Sequence, residues 1–127
     1  MTGNAPLREV GFYKTAAEIL DATRPAESPW GSSAAKYLEQ GVTILASPVW
    51  VNDMLDPGEK KICQYATLTD GLWVWPKSLS YYLRKYHIAL PEDFLTHMAS
   101  RNWAVPRIDD SELDSICEQL QCQHDIQ

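Results

Sequence analysis

Three histidines and three cysteines are the side chains of this chain best suited to bind a metal ion or to act as nucleophiles. Cys117, Cys122 and His124 lie close together in sequence, but residues five apart on a helix point in different directions. A structural zinc site also needs a second ligand pair at short spacing, which is missing. Cys63 lies inside a predicted strand and has no catalytic signature around it. The sequence therefore predicts no metal, no cofactor and free thiols.

Aromatic side chains form the second notable set, since the chain has five Trp and six Tyr in 127 residues. Trp73 and Trp75 share one face of a predicted strand because strand side chains alternate. Trp50 precedes a turn that holds Asp53, Asp56 and Glu59. Packing in a core explains such residues, but Trp and Tyr are also common anchors at protein interfaces.

The charge is distributed unevenly along the chain, whose formal net charge is -6. Residues 77–107 carry five Lys or Arg against two acids, whereas residues 108–127 carry six acids and no Lys or Arg. Such a surface repels nucleic acid and anionic lipid and favours a basic protein partner, although solubility explains an acidic tail equally well. The candidate partner-binding residues are Trp50, Asp53, Asp56, Glu59, Asp109, Asp110, Glu112 and Asp114.

The length and the apolar pattern indicate one cytoplasmic domain covering residues 1–127. A membrane span needs about 20 predominantly apolar residues, and no window approaches this. The first residues lack the basic and apolar regions of a signal peptide. We therefore expect neither membrane nor nucleic acid as a partner, and the oligomeric state stays open.

Apolar spacing and capping residues predict five helices. They cover Tyr13 to Ala22, Ser32 to Gln40, Lys77 to Tyr86, a segment opened by Pro91, and Asp110 to Gln121. In the second helix Ser residues serve as the N-cap and Gly41 as a left-handed C-cap. In the last helix Ser111 and Asp114 resemble a capping box.

The strands are predicted between the second and third helices. Residues 42–45 form a mainly β-branched run, and residues 61–69 and 72–75 flank an Asp70-Gly71 turn suited to a hairpin. Strands and helices are segregated along the chain rather than alternating. The fold class predicted is therefore α+β, with a small antiparallel sheet of about three strands packed with about five helices.

The segment from Leu68 to Pro106 resembles a group of small bacterial proteins. The matching residues are Thr69-Asp70-Gly71-Leu72-Trp73-Val74-Trp75-Pro76, Leu79-Ser80-Tyr81-Tyr82-Leu83 and Tyr86-His87-Ile88-Ala89-Leu90-Pro91-Glu92-Asp93-Phe94-Leu95. They fit the pattern DGxWxWPxxLxYYxxxYHxxLPxxFLxH. The resemblance implies a role like that of immunity proteins, which bind and neutralise one cognate bacterial toxin. The acidic stretch after Pro106 lies outside the pattern.

Three hypotheses about function follow from the sequence. The leading one is a non-catalytic binding protein, an immunity protein whose acidic and aromatic surface covers a basic toxin. The alternative is an enzyme or small-ligand protein with a pocket lined by Trp73, Trp75, Tyr81 and His87, in which Tyr81 faces outward from its helix. A third is a subunit that pairs with a copy of itself.

Overall fold

The computed structural model describes residues 7–124, with side chains described up to residue 119. It confirms the α+β class, with five helices and a four-stranded sheet in this part of the chain. The strands are β1 (Arg8–Glu9), β2 (Val42–Val51), β3 (Cys63–Thr69) and β4 (Trp73–Pro76). The helices are α1 (Ala16–Ala22), α2 (Gly31–Glu39), α3 (Leu79–Tyr86), α4 (Glu92–Ser100) and α5 (Asp110–His124).

The sheet is mixed rather than purely antiparallel, which corrects the sequence prediction. Its strand order is β1-β4-β3-β2, and β1 pairs with β4 in parallel, while the other two ladders are antiparallel. The extra strand is only two residues long. A strand this short carries too little periodicity to be recognised in the sequence.

The β3–β4 hairpin is present, but its turn lies one residue later than predicted. Thr69 pairs with Val74, and the Asp70 backbone N–H donates to the Trp73 carbonyl. The turn is therefore centred on Gly71 and Leu72. Gly71 has a φ of 105°, a value that L side chains rarely adopt. The Asp70 carboxylate accepts hydrogen bonds from the backbone N–H groups of Leu72 and Trp73.

The edge strand β2 is longer than the predicted run because it continues through Pro48. Its pairing with β3 is interrupted by irregularities between Thr43 and Leu45 and between Ala46 and Trp50. A proline is tolerated on an edge strand at such a bulge because its missing N–H leaves no ladder bond broken. Both features also discourage another strand from adding to this edge.

Two apolar clusters cover the two faces of the sheet. The larger one includes Trp73, Trp75 and Leu68 from the sheet, together with buried residues of α1 to α4. The smaller one contains Leu7, Val74 and Ile116, so it joins α5 to the opposite face. Trp73 and Trp75 lie on one face, as the alternation predicts.

Three predicted helix caps are wrong. The N-cap of α2 is Trp30, which makes no side-chain capping bond, rather than a Ser residue. The C-cap of α2 is Gln40 in a right-handed conformation, and Gly41 has no positive φ. A Cβ at Gly41 would lie 2.7 Å from a Trp75 ring atom, so close packing requires this glycine. The α5 cap is Asp109, whose carboxylate accepts from the Glu112 backbone N–H at 2.8 Å.

Candidate functional site

A buried carboxylate, Asp53, organises the loop that follows β2. Its Oδ2 atom accepts hydrogen bonds from the hydroxyls of Tyr81 and Tyr86, each at 2.7 Å, and from Lys85 Nζ at 3.2 Å. Its Oδ1 atom accepts from the backbone N–H groups of Leu55 and Asp56. We call Asp53, Tyr81, Lys85 and Tyr86 the Asp53 cluster. It attaches the loop to α3 through one carboxylate.

The cluster keeps Asp53 ionised. Burial alone would raise its pKa, but hydrogen bonds from Tyr86, Tyr81, the Leu55 backbone and Lys85 outweigh it and lower the pKa to about 2. The pKa of Tyr86 is raised to about 12, mainly by burial and secondly by its hydrogen bond to Asp53. The bond to Tyr81 and the two carboxylates raise the pKa of Lys85 as well. At neutral pH the carboxylate is charged and its three side-chain donors remain protonated.

The loop between β2 and β3 is further fixed by its own hydrogen bonds. The Asn52 side chain accepts from the Lys61 backbone N–H, and the Asp56 side chain accepts from that of Gly58. Lys85 also pairs with Asp56 at 3.3 Å. Because Lys85, Lys60 and Lys61 accompany its three acids, this loop is close to charge balance rather than strongly acidic.

The structure separates the predicted partner-binding residues of this region. The Trp50 side chain is exposed at the end of β2 and Glu59 is exposed in the loop. The Asp56 side chain is 44% exposed, whereas Asp53 is buried and its carboxylate is fully engaged inside the protein. Asp53 therefore holds the loop, and the atoms that face solvent belong to its neighbours.

Exposed apolar side chains are concentrated on β2 and the start of the loop. Seven large apolar side chains are exposed in the described residues, and four of them fall within residues 45–54. These four are Leu45, Val49, Trp50 and Met54, with exposed fractions between 41% and 63%. Tyr65 on the adjacent strand β3 is exposed as well. We call Leu45, Val49, Trp50 and Met54 the β2 patch; of these, the sequence analysis identified only Trp50.

Helix α5 supplies acidic side chains beside the same strand. Ile44 of β2 packs in the cluster of Ile116, and Cys117 Sγ lies 3.7 Å from the Ile44 carbonyl oxygen. Asp110, Asp114 and Glu118 follow one another at i, i+4 and i+8, so they form one acidic ridge. All three are exposed, as are Glu112 and Asp109. The acids of α5 and those of the loop are separate groups, connected by β2.

Most basic residues of segment 77–107 bind acidic side chains or carbonyl groups of the same protein. Arg84 forms a two-bond contact with Glu39 at 2.8 and 3.0 Å. Lys85 binds Asp53, and Arg101 donates to the Asp70 carbonyl at 2.9 Å. Within the described residues no ion pair involves the acids of α5. The excess of negative charge thus lies on α5.

A second buried carboxylate, Asp70, was missed by the sequence analysis. Its Oδ2 atom accepts from the Tyr37 hydroxyl at 2.5 Å and is hydrogen-bonded to His97 Nε2 at 2.8 Å. Arg101 Nη1 lies 3.8 Å away. These contacts join the hairpin turn to α2 and α4. The sequence places Asp70 in a turn, and no periodic signal relates it to Tyr37, 33 positions earlier.

The four residues of the predicted aromatic pocket do not form one cavity. Trp75 is fully buried, and its indole N–H donates to the Leu38 carbonyl. Trp73 is also buried and packs on Phe94 at a ring distance of 4.5 Å. Tyr81 is half-buried and points its hydroxyl at Asp53 rather than outward. The two tryptophans belong to the core, so the prediction that they line a ligand pocket is wrong.

His87, the fourth residue of that predicted pocket, ends α3 in a left-handed conformation with a φ of 55°. It lies beside a polar cavity of about 290 Å³ that Glu27, Ser28 and Arg84 also line. Its Nδ1 atom is buried and has no hydrogen-bond partner in the described part of the chain. Over residues 7–124, no group of three or more His, Cys, Asp and Glu side chains is arranged to hold a metal ion.

Comparison of the chain with protein-family models, with curated proteins and with solved structures found no match. Among the helices of the described segment, none combines the length and the apolar character needed to cross a bilayer.

Proposed function

We propose that this chain is a non-catalytic protein that binds a basic protein partner through the β2 patch and the acidic ridge of α5. In this proposal the partner is a bacterial toxin domain and the chain is its cytoplasmic immunity protein. The observation that carries the proposal is the concentration of exposed apolar side chains on one edge strand. Exposed apolar residues that are grouped on a surface and rimmed by polar ones are typical of protein–protein interaction sites. Here the group extends around the edge of the sheet, because Leu45 pairs with Thr67 and Trp50 with Gln64, which lie on opposite faces of β3.

Trp50 is the best anchor within the β2 patch. Its side chain is 49% exposed, and it stands directly before the loop that the Asp53 cluster holds in place. An interface gains affinity when its anchors are already fixed, because less conformational freedom is lost on binding. The hydrogen bonds of Asp53 to α3 thus favour a preformed binding surface at this end of β2.

The acidic ridge supports a basic partner. Like charges at i and i+4 destabilise a helix by a few tenths of a kcal/mol per pair, on the order of 0.2–0.5. Asp110, Asp114 and Glu118 retain this cost in the free protein, and a basic partner would remove it. Complementary charge also raises the association rate and suppresses wrong partners. The resemblance over residues 68–106 supports the immunity role but assigns no part to α5.

Co-expression with the product of the adjacent reading frame tests this proposal. We expect the two proteins to co-purify as a stable complex, and we expect this chain to restore growth of cells that produce the partner. A partner that neither co-purifies nor inhibits growth would refute the immunity role. A complex without any rescue of growth would retain protein binding and remove toxin neutralisation.

A further inference from the structure

A second concave site lies away from the acidic ridge, where the segment before α1 meets the ends of β3 and β4. Its volume is about 490 Å³, within the range of small-molecule sites. Three buried residues, Ile19, Ala66 and Tyr82, are among those that line it. The cavity therefore combines an apolar lining with a size suited to a small organic ligand.

Two lysines line this cavity, and their backbones are anchored by hydrogen bonds. The Lys77 backbone N–H donates to the Ala66 carbonyl at 2.9 Å, and that of Lys14 donates to the Glu18 carboxylate at 2.8 Å. Neither ammonium group has an acidic partner among the described residues. The lysines thus offer positive charge that no ion pair of the described residues engages.

Two hydroxyl groups add to the donors that line the cavity. Ser78 makes no side-chain capping bond to α3, although it occupies the cap position. The Tyr13 hydroxyl has no hydrogen-bond partner in the part of the chain that the structure describes, and burial, followed by the charge of Glu18, raises its pKa. It is therefore a protonated donor at neutral pH. Among the described residues that line the cavity, Glu9 is the one with a carboxylate.

We infer that this cavity binds a small organic acid, with an apolar ring-containing body against Tyr82 and Ala66 and a carboxylate beside Lys77 and Lys14. The unpaired donors fit an anion, and the apolar wall fits a hydrophobic body. This site lies apart from the acidic ridge, because it uses none of the acids of α5. Met54, which belongs to the β2 patch, lies at its wall and brings the two surfaces close together.

The inference is tested by titrating the protein with 4-phenylbutyrate and with its neutral analogue 4-phenylbutyramide. Calorimetry measures the two affinities, and the amide NMR shifts of Ala66 and Ser78 show whether binding occurs at the cavity. A hydrogen bond to a charged group contributes about 1.5–3 kcal/mol, so we expect the acid to bind about tenfold or more tightly than the amide. Lys77→Met should weaken binding of the acid about fivefold or more and leave the amide within about twofold. Lys14→Met should act in the same direction.

The matched control is Lys36→Met, which removes an exposed lysine of α2 that does not line the cavity. It should leave both affinities unchanged. The inference is overturned if neither compound binds up to about 5 mM. Equal affinity for the acid and the amide, or equal effects of Lys77→Met and Lys36→Met, would also overturn it, since the binding would then be apolar adhesion alone.

Discussion

The Tyr86 hydroxyl donates a hydrogen bond of 2.7 Å to the buried carboxylate of Asp53, which lies 33 positions earlier in the chain. This bond joins the end of α3 to the loop after β2. Two other side chains of α3, Tyr81 and Lys85, bind the same oxygen atom. The position of the loop next to Trp50 therefore depends on one carboxylate that no solvent reaches.

Asp53→Ala should destabilise the protein strongly, because it leaves two partly buried tyrosine hydroxyls and two backbone N–H groups without their acceptor. Breaking a buried charged network costs several kcal/mol, so we expect the free energy of unfolding to fall by about 3 kcal/mol. Urea denaturation measures this change. The matched variant Asp56→Ala removes an acid whose side chain is 44% exposed and should cost only about 0.5 kcal/mol. Similar costs for both variants would contradict the assigned role of Asp53.

The stability should fall in acid because of the same carboxylate. The pKa of Asp53 is lowered to about 2 in the folded protein, below its ordinary value, so its stabilising effect is complete above about pH 4. This contribution is lost as the pH falls from about 4 to about 2, and its size is about 2 kcal/mol. Asp53→Asn should abolish this part of the pH dependence. Parallel pH profiles for the two proteins would contradict the lowered pKa.

Tyr37→Phe tests the second buried carboxylate. The variant removes the hydroxyl that donates to Asp70 at 2.5 Å and changes the shape of the core very little. We expect an unfolding free energy lower by about 2 kcal/mol, since a buried charged acceptor loses one donor. Tyr65→Phe is the control because Tyr65 is 46% exposed, and it should change stability by less than about 0.5 kcal/mol. If Tyr37→Phe and Tyr65→Phe changed the free energy of unfolding equally, Tyr37 would contribute by packing alone.

Two acids of α5 should have opposite effects on stability. Asp109→Ala removes the N-cap of the helix and should cost about 1 kcal/mol. Asp114→Ala removes like-charge repulsion with Asp110 and Glu118 and should stabilise the protein by about 0.5 kcal/mol. Thermal unfolding at low and high salt measures both changes. The gain from Asp114→Ala should shrink at high salt because surface charges are then screened; a gain that is independent of salt would count against repulsion.

Local features of the fold were predictable, and contacts between distant residues were not. The apolar periodicity of α3 and α5 and the turn at Gly71 follow from neighbouring residues, and the structure confirms those elements. The parallel pairing of β1 depends on two residues that meet Trp73 and Val74 across more than sixty positions. The need for glycine at position 41 comes from Trp75, which lies 34 positions later in the sequence.

The candidate site shows the same division. Trp50 could be identified from its type and its position before a turn. The burial of Asp53 could not, because it requires Tyr81, Lys85 and Tyr86 to project toward the loop from a helix that comes later in the chain. Leu45 and Val49 are exposed where the pairing of β2 with β3 is irregular, and apolar residues in a strand pattern are ordinarily interpreted as core.

The dissociation constant of the complex between this chain and the product of the adjacent reading frame tests the proposed interface most directly. It should be measured for the wild-type protein, for Trp50→Ser and for Leu72→Ser. Trp50 and Leu72 are 49% and 50% exposed, but only Trp50 belongs to the β2 patch. We expect Trp50→Ser to weaken the complex about tenfold or more and Leu72→Ser to change it by less than about twofold. Equal effects of the two variants would contradict the β2 patch as the binding surface.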